Sequence, residues 1–549
     1  MVRLRIMNLN RQPGLFKFGM RPVTKTLPSA PEWMRIRECP TISDQTESGG
    51  GFEVAWSFTG ERQGDEVFFA FCYPYSYSEC QEDLANLDRL YRWPTPPPGE
   101  PWQAPPAPTN GKGVAEASAA EDFIRFGSDS LGRLFYHREL LCRSPDGRRM
   151  DLLTITDCAG LGLEEEAKVE GQEDLAMPEA RHPCLAPNMF PLELTQEEPH
   201  APVFKDKQVV FISARVHPGE TPASFVMNGV LKLLFDSSDT RAAALRRHFV
   251  FKIVPILNPD GVARGHYRMD QWGRNLNRYY TDPDASEQPT IHSAKAAAVR
   301  YGQEGRLALY MDLHAHATKR GCFIYGNSLD LLQEQVDNQL YALLLTVNSA
   351  HFDYDGCVFS KKHMQRVDAG DGLSAEGSGR VAVHMDTGVV HSYTLECNYN
   401  TGRIVNHVPE AKATTIISNT ASTDHGQGRG TSQAAQAATL EKSGRSPSPE
   451  RLVAGGPPKY APDHWEEVGR AVLVSLLDLQ GLNPWSRLSN SKYRTLDRAR
   501  QTVMTEVRLS SALTSCAALS ASLICMASMC RDALCICPSC WHHFTFTCC

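Results

Sequence analysis

The chain has almost no surplus of either charge: 56 Lys and Arg stand against 63 Asp and Glu, a formal net charge of −7 over 549 residues. Nucleic-acid binding is not expected from that balance, because a phosphate backbone asks for a basic face. A local basic site for an acidic peptide remains compatible with it. The first residues lack an apolar run. Met1-Val2-Arg3-Leu4-Arg5-Ile6-Met7-Asn8 alternates like a strand, so no secretion signal is read there. A reducing, cytosolic compartment follows as the expectation, with most of the 17 cysteines as free thiols. No nucleotide loop is found either, since Gly426-Gln427-Gly428-Arg429-Gly430 has no strand before it and no helix after it. Long hydrophobic runs are nearly absent. Leu509 to Cys530 is free of charge, but its Ser, Thr and Ala leave it weakly apolar, and a membrane association is not expected.

What is present suggests several units. Residues 1–94 read as short strands, Val2 to Met7, Phe52 to Phe58 and Val67 to Tyr73, forming a small all-β sandwich whose closure is left open. A Pro- and Ala-rich linker occupies 95–129. The hairpin Phe135 to Cys142 and Met150 to Thr156, turning at Ser144-Pro145-Asp146-Gly147, opens a larger unit that runs to 408. Within it, 159–206 is an acidic surface insert, and strands alternate with helices from Val209 onward, the pattern of an α/β domain with a mixed sheet. Residues 409–460 are Ser- and Gly-rich and read as disordered; 461–486 carries a closing helix with Val468, Val472, Leu476 and Leu479 on one face. The Cys-rich stretch 487–549 reads as an atypical tail; its Cys535, Cys537, Cys540, His542 and His543 match no regular zinc-site spacing.

Chemistry concentrates where strands end. Val209-Val210-Phe211-Ile212 is a buried strand, Thr221-Pro222-Ala223-Ser224 begins a helix, and His217 and Glu220 sit at the junction. An imidazole and a carboxylate three residues apart form a ligand pair that zinc accepts. A third ligand is supplied by Tyr310-Met311-Asp312-Leu313-His314-Ala315-His316. His314 beside Asp312 is one candidate and His316 the other. Glu396 lies deep in the apolar strand Val389 to Asn398, where a carboxylate needs a partner or a task; a base that takes a proton from water is such a task. Between these segments, Arg268, Arg274 and Arg278 bring guanidinium groups suited to a carboxylate or a developing oxyanion.

The ordered set His217-Pro218-Gly219-Glu220, Asn258-Pro259-Asp260-Gly261-Val262, His266-Tyr267-Arg268, Leu276-Asn277-Arg278, Asp312-Leu313-His314, Lys319 to Asn327 and Ser392 to Asn400 resembles the zinc carboxypeptidases, and within them the cytosolic carboxypeptidases. The likeness runs over about 1–95, 130–408 and 460–486. It implies one zinc ion on His217, Glu220 and His314, with Glu396 as general base and Arg268 on the scissile carbonyl. It further implies Asn277 and Arg278 on the substrate's terminal carboxylate, and glutamates of glutamylated tubulin tails as substrate, the branch-point residue preferred. In related enzymes the floor of the specificity pocket lies some fifteen residues before the catalytic glutamate. Arg380 is the nearest cation and would favour glutamate; Arg320, Lys361 and Lys362 are further basic candidates. A monomer is expected. A zinc amidase acting on small acyl amino acids and a non-catalytic tubulin-binding module remain the alternatives.

Overall fold

The computed structural model describes residues 1–7, 9, 13–44, 51–60, 62–94, 134–165, 200–204, 206–368, 372–413, 457–510 and 512. The linker at 95–129, the middle of the acidic insert, most of 409–460 and the tail cysteines from Cys516 onward lie outside the described residues.

The N-terminal unit is built from two three-stranded antiparallel sheets. In chain order β1 (Val2–Ile6), β2 (Val23–Leu27), β3 (Ala30–Arg35), β4 (Thr41–Asp44), β5 (Phe52–Phe58) and β6 (Glu66–Ala70) pair as β1-β5-β4 and β3-β2-β6. Val23, Phe52, Val54 and Trp56 are buried in its core. Strands β2 and β3 escape a reading by hydrophobicity because Lys25, Glu32 and Arg35 interrupt them. Helix α1 (Tyr77–Tyr91) follows, started by a capping box in which Ser76 and Glu79 satisfy each other's backbone amides.

Seven strands form the central sheet of the larger unit. They are β7 (Leu134–Arg143), β8 (Arg149–Asp157), β11 (Gln208–Ala214), β12 (Phe249–Val254), β13 (Leu307–His316), β14 (Cys322–Tyr325) and β15 (Ser392–Asn398), in the order β14-β15-β13-β11-β12-β8-β7. Strands β15, β13, β11 and β12 run parallel, and the edges are antiparallel. The pleat explains the two apolar layers. Val210, Ile212 and Ala214 of β11 face one side with Leu309, Met311 and Leu313 of β13; Val209 and Phe211 face the other with Tyr310. On the first side lie α2 (Pro222–Phe235), α3 (Thr240–His248), α5 (Leu332–Asn348) and α7 (Pro462–Leu479); on the second lie α4 (Pro289–Gln303) and α6 (Gly379–Thr387). A sheet buried on both faces needs apolar residues at consecutive positions, which is why β11 and β12 read as unbroken runs.

The structure departs from the sequence reading in three places. The ends of the acidic insert are ordered as β9 (Leu161–Glu165) paired with β10 (Pro202–Phe204), and Phe204 is buried against Phe135. The stretch after 486 does not detach. Leu488, Tyr493, Ala499, Val503 and Val507 join the same apolar cluster, the last three on a helix over 496–510, and Tyr354 donates a hydrogen bond to Glu506 (3.1 Å). Gly377-Ser378-Gly379, a turn by its composition, instead leads straight into α6, which carries Arg380. Among the described residues no helix is long and apolar enough to cross a membrane.

Candidate metal centre and catalytic cleft

Parallel strands carry their C-terminal ends to one edge of the sheet, and three of them deliver the site there. After β11 the chain leaves the sheet at Arg215, whose φ of +61° sets a left-handed kink. The buried Arg215 guanidinium then grips the turn it begins: Nε and Nη2 donate to Pro218 O at 3.0 and 2.6 Å, and Nη1 donates to Ser224 Oγ at 2.7 Å and Tyr75 O at 3.0 Å. His217 and Glu220 thus stand on a braced turn ahead of α2. Asn258, at the end of β12, caps the short helix Pro259–Ala263 by accepting from Gly261 N (2.9 Å) and donates to Val216 O (3.2 Å), tying the second strand end to the same turn.

Strand β13 brings His314, and its neighbour β15 places Glu396 directly opposite in register. The ligand atoms of His217, Glu220 and His314 all lie within 4.8 Å of one another. Both imidazoles turn Nδ1 toward the Glu220 carboxylate, at 2.9 Å for His217 and 3.0 Å for His314. Their far nitrogens are held as donors: His314 Nε2 gives its proton to Asp312 Oδ2 (2.7 Å) and His217 Nε2 to Asn275 Oδ1 (3.0 Å). Ser213 Oγ in turn donates to Asp312 Oδ1 (2.9 Å). Fixing the proton on Nε2 leaves the Nδ1 lone pair of each ring aimed at a common point, the arrangement that a metal-ligating histidine needs.

The electrostatics fit a cation. His217, Glu220 and His314 are 4, 9 and 2 % exposed. Burial works against the Glu220 charge, yet the two adjacent imidazoles hold its carboxyl well below the usual range. Burial likewise opposes a charged His314, but the carboxylates of Asp312 and Glu220 raise it well above an ordinary imidazole. The buried site therefore calls for positive charge, and two neutral imidazoles with one carboxylate are the donor set that zinc accepts. His316 is not part of the cluster: its Nδ1 accepts from Lys319 N (2.9 Å), and of the two histidines of β13 it is His314 that lies with His217 and Glu220.

Burial pushes the Glu396 carboxyl up to about 7, with the neighbouring His314 opposing the rise. Its Oε2 is buried and has no hydrogen-bond partner among the described residues. Such an orphaned acceptor at the edge of a polar cluster is costly unless a proton donor visits it.

The guanidinium groups fall into two sets. Arg268 reaches from the ligand cluster, with Nη1 3.4 Å from His217 Nδ1 and 3.8 Å from Glu220 Oε1, to Asp368, whose Oδ2 is 3.6 Å from Nη2. Arg278 donates to the same Asp368 oxygen at 3.1 Å. Asn277 accepts from Gly379 N (3.1 Å), and its Nδ2 lies 3.5 Å from His314 Nε2. Arg380 is only 3 % exposed and answers a different environment: Nη1 donates to Gly326 O (2.9 Å) and Asn327 Oδ1 (2.7 Å), Nη2 to His363 Nδ1 (3.1 Å). Among the described residues no carboxylate lies within ion-pair distance of it. Loss of solvation lowers its pKa to about 10, so it stays charged at neutral pH. Of the other basic candidates, Lys361, Lys362 and Arg366 line an open groove beside His363, whereas Arg320 stacks over Phe18.

Three functional positions were not singled out by sequence. Arg215, Asn275 and Asp368 are charged or polar residues in loops, and only the folded contacts show what they hold. Gly219 is a fourth constraint. A Cβ there would come within 2.6 Å of Tyr267 O, next to Arg268. Gly219→Ala is expected to cost roughly 1–3 kcal/mol of stability through overpacking and to displace Arg268, lowering kcat/KM; urea denaturation and steady-state kinetics on the same sample check both.

Comparison with known proteins agrees with the geometry. Residues 136–317 match the zinc carboxypeptidase family. The chain is similar to cytosolic carboxypeptidase-like protein 5 of Mus musculus, 36 % identical over 95 % of this chain and 59 % of that protein, and of Rattus norvegicus, 37 % identical over 94 % and 63 %. It thus spans about three fifths of the length of these relatives. Cytosolic carboxypeptidase 6 of Mus musculus is 29 % identical over 72 % of this chain and 56 % of its own. Among solved structures, a metallo-carboxypeptidase from Burkholderia cenocepacia shares the fold with a TM-score of 0.51 at 17 % identity, covering 87 % of this chain and 85 % of its own.

Proposed function

We propose that this chain, which matches the zinc carboxypeptidase family over residues 136–317 and is similar to cytosolic carboxypeptidase-like protein 5, is a zinc-dependent exopeptidase that removes glutamates from the ends and side-chain branches of glutamylated proteins such as tubulin. The observation that carries this reading is the register of β13 and β15, which sets Glu396, whose Oε2 has no hydrogen-bond partner among the described residues, beside the cluster of His217, Glu220 and His314.

Zinc held by those three ligands would polarise the scissile carbonyl and acidify water at neutral pH. The remaining work belongs to the chain. Glu396 takes a proton from the attacking water and returns it to the leaving amine; its buried position keeps the carboxyl close to the pH at which both transfers are easy. Arg268, next to the ligand cluster, stabilises the oxyanion as it forms. Arg278 with Asn277 holds the terminal carboxylate, which makes the reaction an exopeptidase cleavage. Arg380 receives the γ-carboxylate, because a buried guanidinium surrounded by neutral acceptors gains most from an incoming anion. Lys361, Lys362 and Arg366 in the neighbouring groove suit the further acidic residues of a glutamate-rich tail. The cytosol, where such tails are found, is the compartment this reading assigns, with a monomer as the working form.

Mass spectrometry of tubulin-tail peptides carrying linear or branched glutamates tests the proposal: stepwise loss of single glutamates is the expected result, the branch-point residue going faster. Release of small acyl groups alone would favour the amidase, and no release from a zinc-loaded sample the binding module. Arg380→Met is expected to lower kcat/KM for glutamate-ending peptides by roughly a hundredfold, with an alanine-ending peptide, largely unaffected, reporting that the fold is intact. Equal losses on both peptides would remove Arg380 from the specificity pocket.

A further inference from the structure

The arginines assigned to the substrate already share a carboxylate. Asp368 Oδ2 lies 3.1 Å from Arg278 Nη2 and 3.6 Å from Arg268 Nη2, bridging the two groups that the proposed function gives to the terminal carboxylate and the scissile carbonyl. Its backbone is not placed by chance. Asp368 N donates to Leu373 O (2.9 Å), Gly372 N donates to Asp368 O (2.9 Å), Val367 bridges Ser374, and Ala375 N donates to Arg366 O (2.8 Å), so described bonds on both arms hold the aspartate over the arginines. Arg380 provides the contrast: it is more deeply buried, yet carbonyl, amide and imidazole groups, not a carboxylate, surround it.

We propose that Asp368 is an internal competitor for the terminal-carboxylate site, a side-chain carboxylate that the substrate's own carboxylate must displace. The inference rests on the reading of Arg268 and Arg278 given above. Two carboxylates cannot share the inner face of one arginine pair without like-charge repulsion, so occupation by substrate requires Asp368 to withdraw. Exchanging one carboxylate for another on the same guanidinium groups brings little net gain. Every carboxylate ligand therefore binds more weakly by one common factor, whatever else it carries. The consequence is a threshold. A ligand with a single carboxylate gains nothing further and binds weakly, whereas one that adds a second carboxylate at Arg380 binds more tightly. While the cleft is empty, Asp368 keeps the arginine pair neutralised and in place.

Asp368→Asn preserves shape and the loop's backbone bonds while removing the charge. With the zinc-loaded protein, the expected result is a fall in KM for a glutamate-ending peptide, and in the inhibition constants of propionate and glutarate, all by the same factor of roughly three to ten, with kcat within about twofold of the parent. A factor that differs between propionate and glutarate would make Asp368 a contact to one ligand and overturn the proposal. So would unchanged or raised constants, which would make Asp368 a support for the arginines. Peptide cleavage by the parent protein reports separately on the proposed function. If the parent cleaves no peptide, calorimetric titration of glutarate into parent and variant still reads the competition at the arginine pair.

Discussion

Glu396→Gln is expected to abolish turnover, lowering kcat by roughly a thousandfold, while leaving metal content and substrate binding intact. The amide is nearly isosteric with the carboxylate, and the parent Oε2 has no hydrogen-bond partner among the described residues, so the substitution breaks no bond to that oxygen there. What it removes is the ability to accept a proton. The pH profile follows from the same group. A general base works only when ionised, so activity falls as pH drops through its pKa. Burial sets that value to about 7 in the metal-free protein, and a bound cation favours the charged form. The acid limb of kcat/KM is thus expected below pH 7 in the zinc-loaded enzyme and absent from the residual activity of the variant. Measured kcat above about a tenth of the parent would remove Glu396 from the proton transfer.

His314→Ala is expected to release the metal and with it essentially all activity. The substitution takes away one of three ligands and leaves Glu220 and Asp312 facing each other's charge without the imidazole that now lies between them, at 3.0 Å from one and 2.7 Å from the other. Two buried carboxylates left unshielded destabilise the fold as well, by roughly 3–5 kcal/mol, so the variant should be assayed for zinc by atomic spectroscopy and for folding by near-UV circular dichroism. His316→Ala is the matched control. His316 stands two residues further along the same strand, and its ring accepts a backbone proton from Lys319; its loss should leave zinc stoichiometry unchanged. Zinc lost from the His316 variant and retained by the His314 variant would reverse the assignment.

Much of this site was legible because its residues sit where apolar runs stop. β11 and β13 announce themselves as buried strands, and a histidine or a carboxylate at the end of such a run has few structural reasons to be there. The register of β13 against β15 was not legible, since strand order in a parallel sheet depends on crossovers that no local pattern encodes. Arg380 illustrates a second limit. Gly377-Ser378-Gly379 reads as a flexible turn, but Gly379 is a packing requirement, because a Cβ there would come within 2.3 Å of Tyr310 Oη, and the glycine lets α6 begin against the sheet and carry Arg380 inward. A third limit lies in the segment after 486, set aside for its unusual composition although Leu496, Ala499, Val503 and Val507 recur at helical spacing; the structure buries the last three of them. Asp368 could not have been found from sequence, because a lone aspartate in a polar loop has no pattern to distinguish it from a solvated one.

The central claim is that one metal ion at His217, Glu220 and His314 carries the activity. The most direct measurement is peptide hydrolysis followed during removal and stepwise return of zinc, with bound metal counted in the same samples. The account predicts loss of activity on chelation while the fold persists, and linear recovery that saturates at one zinc per chain. Full activity in metal-free protein, or recovery that ignores the loss of His217, would contradict it.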